Sequence, residues 1–277
     1  MAKLRVGIVN YLNSKPLAWG FLKGQYDARF ASSTHPPARV AELLASGDLD
    51  VGLIPSIEAQ RIPGLRILPG LCVAATEEVR SVLLVSSVPI GDIRRVALDQ
   101  NSRTSAALVR IVLEDGYGVR PEYRTARADL TTMLVEADAA LLIGDPALHV
   151  DRGQYQVLDL AAEWRRLTGH PFVFAIWAVA PGVDLPDLGV TFQSSLREGL
   201  SSLDLVVREA AAEMGLGVAE IHDYLTRALS YVLGPAEIAG LEEFYRRAAV
   251  KGLISAAKPV AFWSASASAL PVAVAVP

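Results

Sequence analysis

The sequence predicts a two-lobed α/β fold, each lobe a mostly parallel sheet flanked by helices, with a ligand cleft between the lobes. Three observations carry that expectation. Short apolar, β-branched runs alternate with helix-like segments from Arg5 onward, the pace of βαβ units with right-handed crossovers. A second series of this kind opens at RRVALD, Arg94–Asp99. Beyond Val190 the chain reads as helical almost to Lys251, with breaks near Gly215–Gly217 and Gly234–Pro235, and such helices complete a lobe already begun.

Each element has a local reason. RVGIV is a buried first strand of the sort parallel sheets use. In NYLNSKPLAWGFLKG, Asn13 or Ser14 can cap a helix, Pro16 fits its first turn, and Gly20 or Gly24 ends it. Ala28–Ala31 is a second short strand. THPPARVAELLASGDLD is a helix with Val40, Leu43 and Leu44 on one stripe and Gly47 past its end. Val51–Pro55 is a third strand, after which Ser56 caps a short helix. ILPGLCVAA and SVLLVSS are further apolar runs. The second series continues with a helix from about Thr104 to Leu113, a strand at Glu122–Arg124, a helix at Leu130–Val135 and the strand Ala140–Ile143. The long apolar run Val173–Ala180 then returns. With Ser81–Ser86 and Val173–Ala180 as crossings, residues 1–88 and 175–277 make lobe 1 and residues 89–174 make lobe 2. The Ala/Val-rich tail SASASALPVAVAVP reads either as an edge strand or as a terminus without fixed structure.

Composition narrows the function classes. A chain of 277 residues with 52% hydrophobic and 20% charged side chains has the balance of a globular protein with a filled core. Its net charge of −4 offers no general attraction to nucleic acid or to an anionic membrane, so an anionic ligand needs local positive potential. Cys72 is the sole cysteine, which excludes an internal disulfide and a cysteine-held metal. The apolar stretch at Met1–Val9 is too short for a secretory signal, and no segment has the length of a membrane span. The expectation is a cytoplasmic protein.

Four segments place polar residues at the end of an apolar strand, where open α/β sheets bind ligands. The first holds Tyr11, Asn13 and Ser14; the second holds Ser56. The third, DQNSRTSAALVRIVL, gathers Ser102, Arg103, Thr104 and Ser105 at a helix start, where hydroxyls, a guanidinium and free backbone N–H groups suit a carboxylate or phosphate. The fourth is IGDPAL, with Gly144 permitting close backbone approach and Asp145 able to cap a helix or act as acid or base. The four histidines form no HxH or HExxH pattern, and GxSxG, P-loop and GxGxxG patterns are absent. Residue chemistry thus reads as an anion-binding cleft.

The strings VGIVNYLNSKPL, SGDLDVGLIPS, RSVLLVS, ALDQNSRTSAALVRIVL, ADAALLIGDPAL, LTGHPFVFAIW and YLTRALSYVLG…GLEEFY go further. Together, from about Arg5 to Tyr245, they resemble the chorismate dehydratases, which carry out the first step of the futalosine route to menaquinone. The resemblance implies a type II periplasmic-binding-protein-like fold and the conversion of chorismate to 3-[(1-carboxyvinyl)oxy]benzoate and water. It implies no metal or organic cofactor, since aromatisation drives the loss of water. It also implies that Ser102, Arg103, Thr104 and Ser105, with Ser56, hold carboxylates, while Tyr11 and Asn13 face the ring. Arg80 and Ser81 at the first crossing, Gly144 and Asp145 on lobe 2, and Phe172 and Trp177 as ring walls complete the expected set. The proton acceptor is then either one of the substrate's own carboxylates or Asp145. The implied partner is a small dicarboxylate, with neither nucleic acid nor membrane; the oligomeric state is not readable. The competing reading from another class is a cytoplasmic small-anion binding protein on the same fold.

Overall fold

The computed structural model describes residues 3–264, and its strands form two five-stranded sheets. The first has the order β2-β1-β3-β10-β4, with β1 at Leu4–Val9, β2 at Phe30–His35, β3 at Val51–Pro55, β4 at Arg66–Ala75 and β10 at Phe172–Val179. The second has the order β7-β6-β8-β5-β9, with β5 at Val82–Ser86, β6 at Arg95–Asp99, β7 at Glu122–Ala126, β8 at Ala139–Ile143 and β9 at Gln156–Asp159. Strand β10 runs antiparallel to β3 and β4, and β5 runs antiparallel to β8 and β9. The remaining pairings are parallel. Each sheet is therefore parallel but for one strand, and that strand is the one by which the chain arrives from the other sheet. Sheet membership changes between Ala75 and Val82 and again between Asp159 and Phe172. We propose these passages as the lobe boundaries.

The helices α1 (Lys15–Leu22), α2 (Pro37–Ala45) and α3 (Glu58–Arg61) belong to the first series of strands. Next come α4 (Thr104–Ile111), which continues as a π-helical turn through Val112–Gly116, then α5 (Leu130–Glu136), α6 (Asp145–Leu148) and α7 (Leu160–Thr168). The carboxyl-terminal set is α8 (Leu188–Ser201), α9 (Leu203–Met214), α10 (Val218–Asp223), a π-helical turn at Tyr224–Ala228, and α11 (Pro235–Val250).

Several elements depart from the sequence reading for physical reasons. Ser14 does not cap α1: its hydroxyl donates back to the carbonyls of Val9 and Tyr11, tightening a 3-10 turn at Leu12–Ser14. Helix α1 runs through Gly20 and stops before Gly24, which takes φ 73°. Strand β2 starts at Phe30 and continues through polar Ser32–His35, which an edge position tolerates because one side of its ladder is open. The pair β9 and α7 was not expected. Strand β9 is a four-residue edge strand without an apolar run. Its last residue, Asp159, caps α7 by accepting from the N–H groups of Ala161 and Ala162. The tail beyond Ser264 lies outside the described residues.

The core of the first sheet holds an aromatic cluster of Phe21, Phe30, Trp177 and Phe192, with ring centroids 4.7–6.4 Å apart. A second cluster joins Trp164, Phe172 and Phe244 where α7 and α11 meet β10. Helix α11 is also tied to the end of α4 by charge. Arg247 and Lys251 reach Asp115 at 2.8 and 2.6 Å, and Glu243 takes hydrogen bonds from Arg246 and Arg247. The Arg246 contact, opposed by partial desolvation and aided by Arg247, draws the Glu243 carboxyl down to about 2. A carboxylate with a lowered folded-state pKa adds stability that is complete above its unfolded value, near 4.5, and is lost as pH falls toward 2. The stability gap between wild type and Glu243→Gln should therefore be widest above pH 4.5 and shrink on acidification. Thermal unfolding of both proteins from pH 7 to pH 3 measures it, and a gap independent of pH contradicts the assignment.

Candidate active site

The cleft between the sheets encloses about 550 Å³ of space, partly open to solvent. Its walls are mostly apolar. Val9, Leu53, Pro55 and Val73 come from the first sheet, and Val79, Val82 and Ile143 from the crossing and the second. Phe174 and Ala175 of β10 close one side. Among the described residues, polar side chains enter from two places: the loop after β1, with Tyr11 and Asn13, and the segment Asn101–Ser105 leading into α4.

The α4 end is built to receive an anion. No side chain caps this helix, and its first intrahelical bond goes from the N–H of Ala107 to the carbonyl of Arg103. The N–H groups at its start thus carry the positive end of the helix dipole toward the cleft. The Ser102 hydroxyl is buried with no protein partner among the described residues. The Ser105 hydroxyl also belongs to the lining. Arg103 lines the cleft as well, half-buried, but its guanidinium already reaches Glu42 of α2 at 2.8 Å and Glu58 at 3.8 Å. Thr104 serves the join between lobes: its hydroxyl accepts from the Ile57 N–H at 3.2 Å and sits 3.4 Å from the Ser56 hydroxyl.

The Tyr11 loop is held from both lobes. The Leu12 N–H donates to a carboxylate oxygen of Asp145 at 2.9 Å. Tyr11 packs on Gly144, which adopts φ 67° and ψ −146°. A Cβ there would lie 2.6–2.7 Å from the ring carbons of Tyr11, so glycine is required both for backbone conformation and for space. Burial first, then the nearby Asp99 and Asp145 carboxylates, raise the Tyr11 phenol far above its ordinary range. Tyr11 is accordingly a neutral hydrogen-bond donor and not a base. Asp145 is itself raised by burial, opposed by the Leu12 N–H.

The cleft therefore brings together Tyr11, Asn13, Ser102, Arg103, Thr104, Ser105 and Gly144. Other expected residues lie elsewhere. Ser56 is fully buried, donating to the Val173 carbonyl at 2.7 Å, while its own carbonyl accepts from the Tyr245 hydroxyl. Arg80, with φ 63°, turns its guanidinium to Asp223, and its N–H and that of Val79 donate to Asp159. Ser81 is buried and bonded to Tyr224. Asp145 holds the loop and is not part of the lining. Phe172 and Trp177 are core residues in the two aromatic clusters, and β10 presents Phe174 and Ala175 to the cleft instead.

Two residues at or near the site went unread in the sequence. Asn101 is a lining residue. Asp99, at the end of β6, is buried with one carboxylate oxygen unpartnered among the described residues and the other accepting from the Asn101 N–H. Burial raises its pKa against that bond. The DQNS string after an apolar strand was the available signal.

Comparison with known proteins gives the family. A family model described as menaquinone biosynthesis matches residues 4–250. The chain is 30% identical to the chorismate dehydratase of Thermus thermophilus over 75% of its own length and 83% of that protein. The chain belongs to the chorismate dehydratase family. A chorismate dehydratase of Campylobacter jejuni is 28% identical over 61% of this chain and 64% of that one. Among solved structures, a protein of Archaeoglobus fulgidus superposes with TM-score 0.76 at 19% identity, covering 91% of this chain and 98% of that one. The periplasmic aliphatic sulphonate binding protein of Escherichia coli superposes with TM-score 0.64 at 19% identity, covering 99% and 96%. These likenesses establish the periplasmic-binding-protein-like fold, while membership of the chorismate dehydratase family speaks to chemistry.

Proposed function

We propose that the cleft takes up chorismate, sets a substrate carboxylate on the start of α4, and removes the ring C3 hydrogen and C4 hydroxyl as water. The chain carries the chorismate dehydratase reaction of menaquinone biosynthesis, giving 3-[(1-carboxyvinyl)oxy]benzoate. The observation that carries the site reading is the uncapped α4 start, with Ser102 and Ser105, opposite Tyr11 and Asn13 across an apolar cleft. The apolar walls suit the carbocycle and exclude water, while the amides and hydroxyls suit a carboxylate. Asn13 hydrogen-bonds the departing hydroxyl, and Tyr11 donates toward the ring substituents. Absence from the lining separates Asp145 from the reacting atoms, which favours a substrate carboxylate as proton acceptor. We place the reaction in the cytoplasm; no described helix is long and apolar enough to cross a membrane.

Incubation with chorismate, followed by chromatography and mass, tests the reading. A product one water lighter than chorismate supports it; tight binding without turnover supports a binding protein instead. Asp145→Asn separates the two proton acceptors. Asparagine retains an oxygen for the Leu12 N–H, so this variant should keep turnover within about tenfold of wild type, whereas loss of a general base costs roughly a hundredfold or more.

A further inference from the structure

Arg39, Glu42, Arg103, Glu58 and Arg61 form one chain of contacts that alternates in sign. Arg39 and Glu42 lie on α2 and meet at 3.3 Å, while Glu58 and Arg61 lie on α3 and meet at 2.9 Å. Arg103 stands in the middle, and of the five it alone belongs to the second series of strands, at the start of α4. Its two terminal nitrogens are divided between the helices opposite: Nη2 reaches Glu42 Oε1 at 2.8 Å and Nη1 reaches Glu58 Oε2 at 3.8 Å. Each glutamate gives Arg103 one oxygen and the arginine of its own helix the other. Exposed pairs add little singly, but the Glu58 side chain is only 4% exposed, so its charge is weakly screened and depends on these partners. The next residue repeats the crossing, since the Thr104 hydroxyl accepts the Ile57 N–H at 3.2 Å. Arg103 and Thr104 are thus committed to the α2 and α3 segments, whereas the buried Ser102 hydroxyl beside them has no protein partner among the described residues.

We propose that Arg103 is a positioning residue for the dehydration and not a ligand of the substrate carboxylate. Clamped between Glu42 and Glu58, it holds the α4 start in fixed register across the cleft from Asn13. The carboxylate is then received by uncharged donors, the N–H groups of that helix start and the Ser102 and Ser105 hydroxyls. The proposal deepens the reading of the cleft as the dehydration site and rests on it.

Removing the guanidinium and freeing it distinguish the two roles. A clamp fails in the same way whichever side is lost. Arg103→Gln and the double variant Glu42→Gln/Glu58→Gln should therefore each lower kcat roughly tenfold, and the triple variant no further. The Kd of the dehydration product, measured by calorimetry so that turnover is not needed, should stay within about threefold throughout, because the uncharged donors remain. A carboxylate ligand behaves otherwise: Arg103→Gln would weaken product binding roughly tenfold or more, while the double variant, with its guanidinium free, would keep or tighten it. That pattern overturns the proposal, as does wild-type kcat in Arg103→Gln. Thermal unfolding of each variant shows whether stability alone has changed, and a loss of stability with wild-type kcat also overturns it. If the buried Glu58 change prevents folding, Glu42→Gln alone serves, at a half-exposed position. It should lower kcat about two- to fivefold with an unchanged product Kd, and unchanged kcat there overturns the clamp as well. Failure of the underlying reading shows instead in the wild-type protein, as no conversion of chorismate at all.

Discussion

Asn13→Ala should lower kcat/KM for chorismate by roughly two to three orders of magnitude, the cost of removing one preorganised hydrogen-bonding group from a reacting centre. Asn13 is one of two polar side chains that the β1 loop offers to the cleft, the other being Tyr11. The surrounding walls are apolar, so water does not readily take its place. Tyr11, held neutral by burial, donates but accepts only weakly, and it does not replace a carboxamide that does both. Folding should change little, within about 1 kcal/mol, because Asn13 is half-buried and the loop is pinned independently by Ser14 and Asp145. Steady-state kinetics with thermal unfolding of the same sample checks both halves. Full activity in a folded variant removes Asn13 from the mechanism.

Gly144→Ala should damage both stability and turnover. The added methyl meets the Tyr11 ring at 2.6–2.7 Å, and the backbone conformation at φ 67°, ψ −146° is one that residues with a Cβ rarely adopt. Strain of that kind costs about 1–3 kcal/mol before any clash is counted. The clash then pushes the Tyr11 ring toward the cleft or opens the lobes, and either displaces a substrate-facing group. Gly169→Ala is the control without a contact. At φ 76° and ψ 1° it lies in the milder left-handed helical region, and nothing lies within 4 Å of the added carbon, so it should lose less stability and keep its activity. Urea denaturation with kinetics on both variants gives the comparison. Equal stability losses and equal kcat values would show that contact with Tyr11 does not matter.

How far the sequence disclosed this site depends on where each residue sits. Ser102–Ser105 were legible because a strand end followed by hydroxyls at a helix start is a local pattern, and the cleft lies where such ends converge. Gly144 was legible for the same reason. The choice between Phe172 and Phe174 was not, since β10 is buried along almost its whole length and alternation gives no sign of which ring faces the ligand. Asp145 and Ser56 stand at the right strand ends, yet their polar groups are taken by Leu12 and Val173, partners remote in sequence. The contacts of Arg103 with Glu42 and Glu58, and of Tyr224 with Ser81, are likewise long-range, and no short pattern announces them. The mostly parallel sheets followed from the order of elements, whereas the one reversed strand in each is set by pairings remote in sequence. The short edge strand β9 did not, because four residues without an apolar run leave no periodic signal.

A crystal structure of the protein with the dehydration product bound is the decisive measurement. The product should lie between the two sheets, with a carboxylate within hydrogen-bond distance of the N–H groups and hydroxyls at the start of α4, and the ring beside Tyr11 and Asn13. A product bound outside that cleft, or bound in it with both carboxylates turned away from α4, would rule out the α4 start as the carboxylate site.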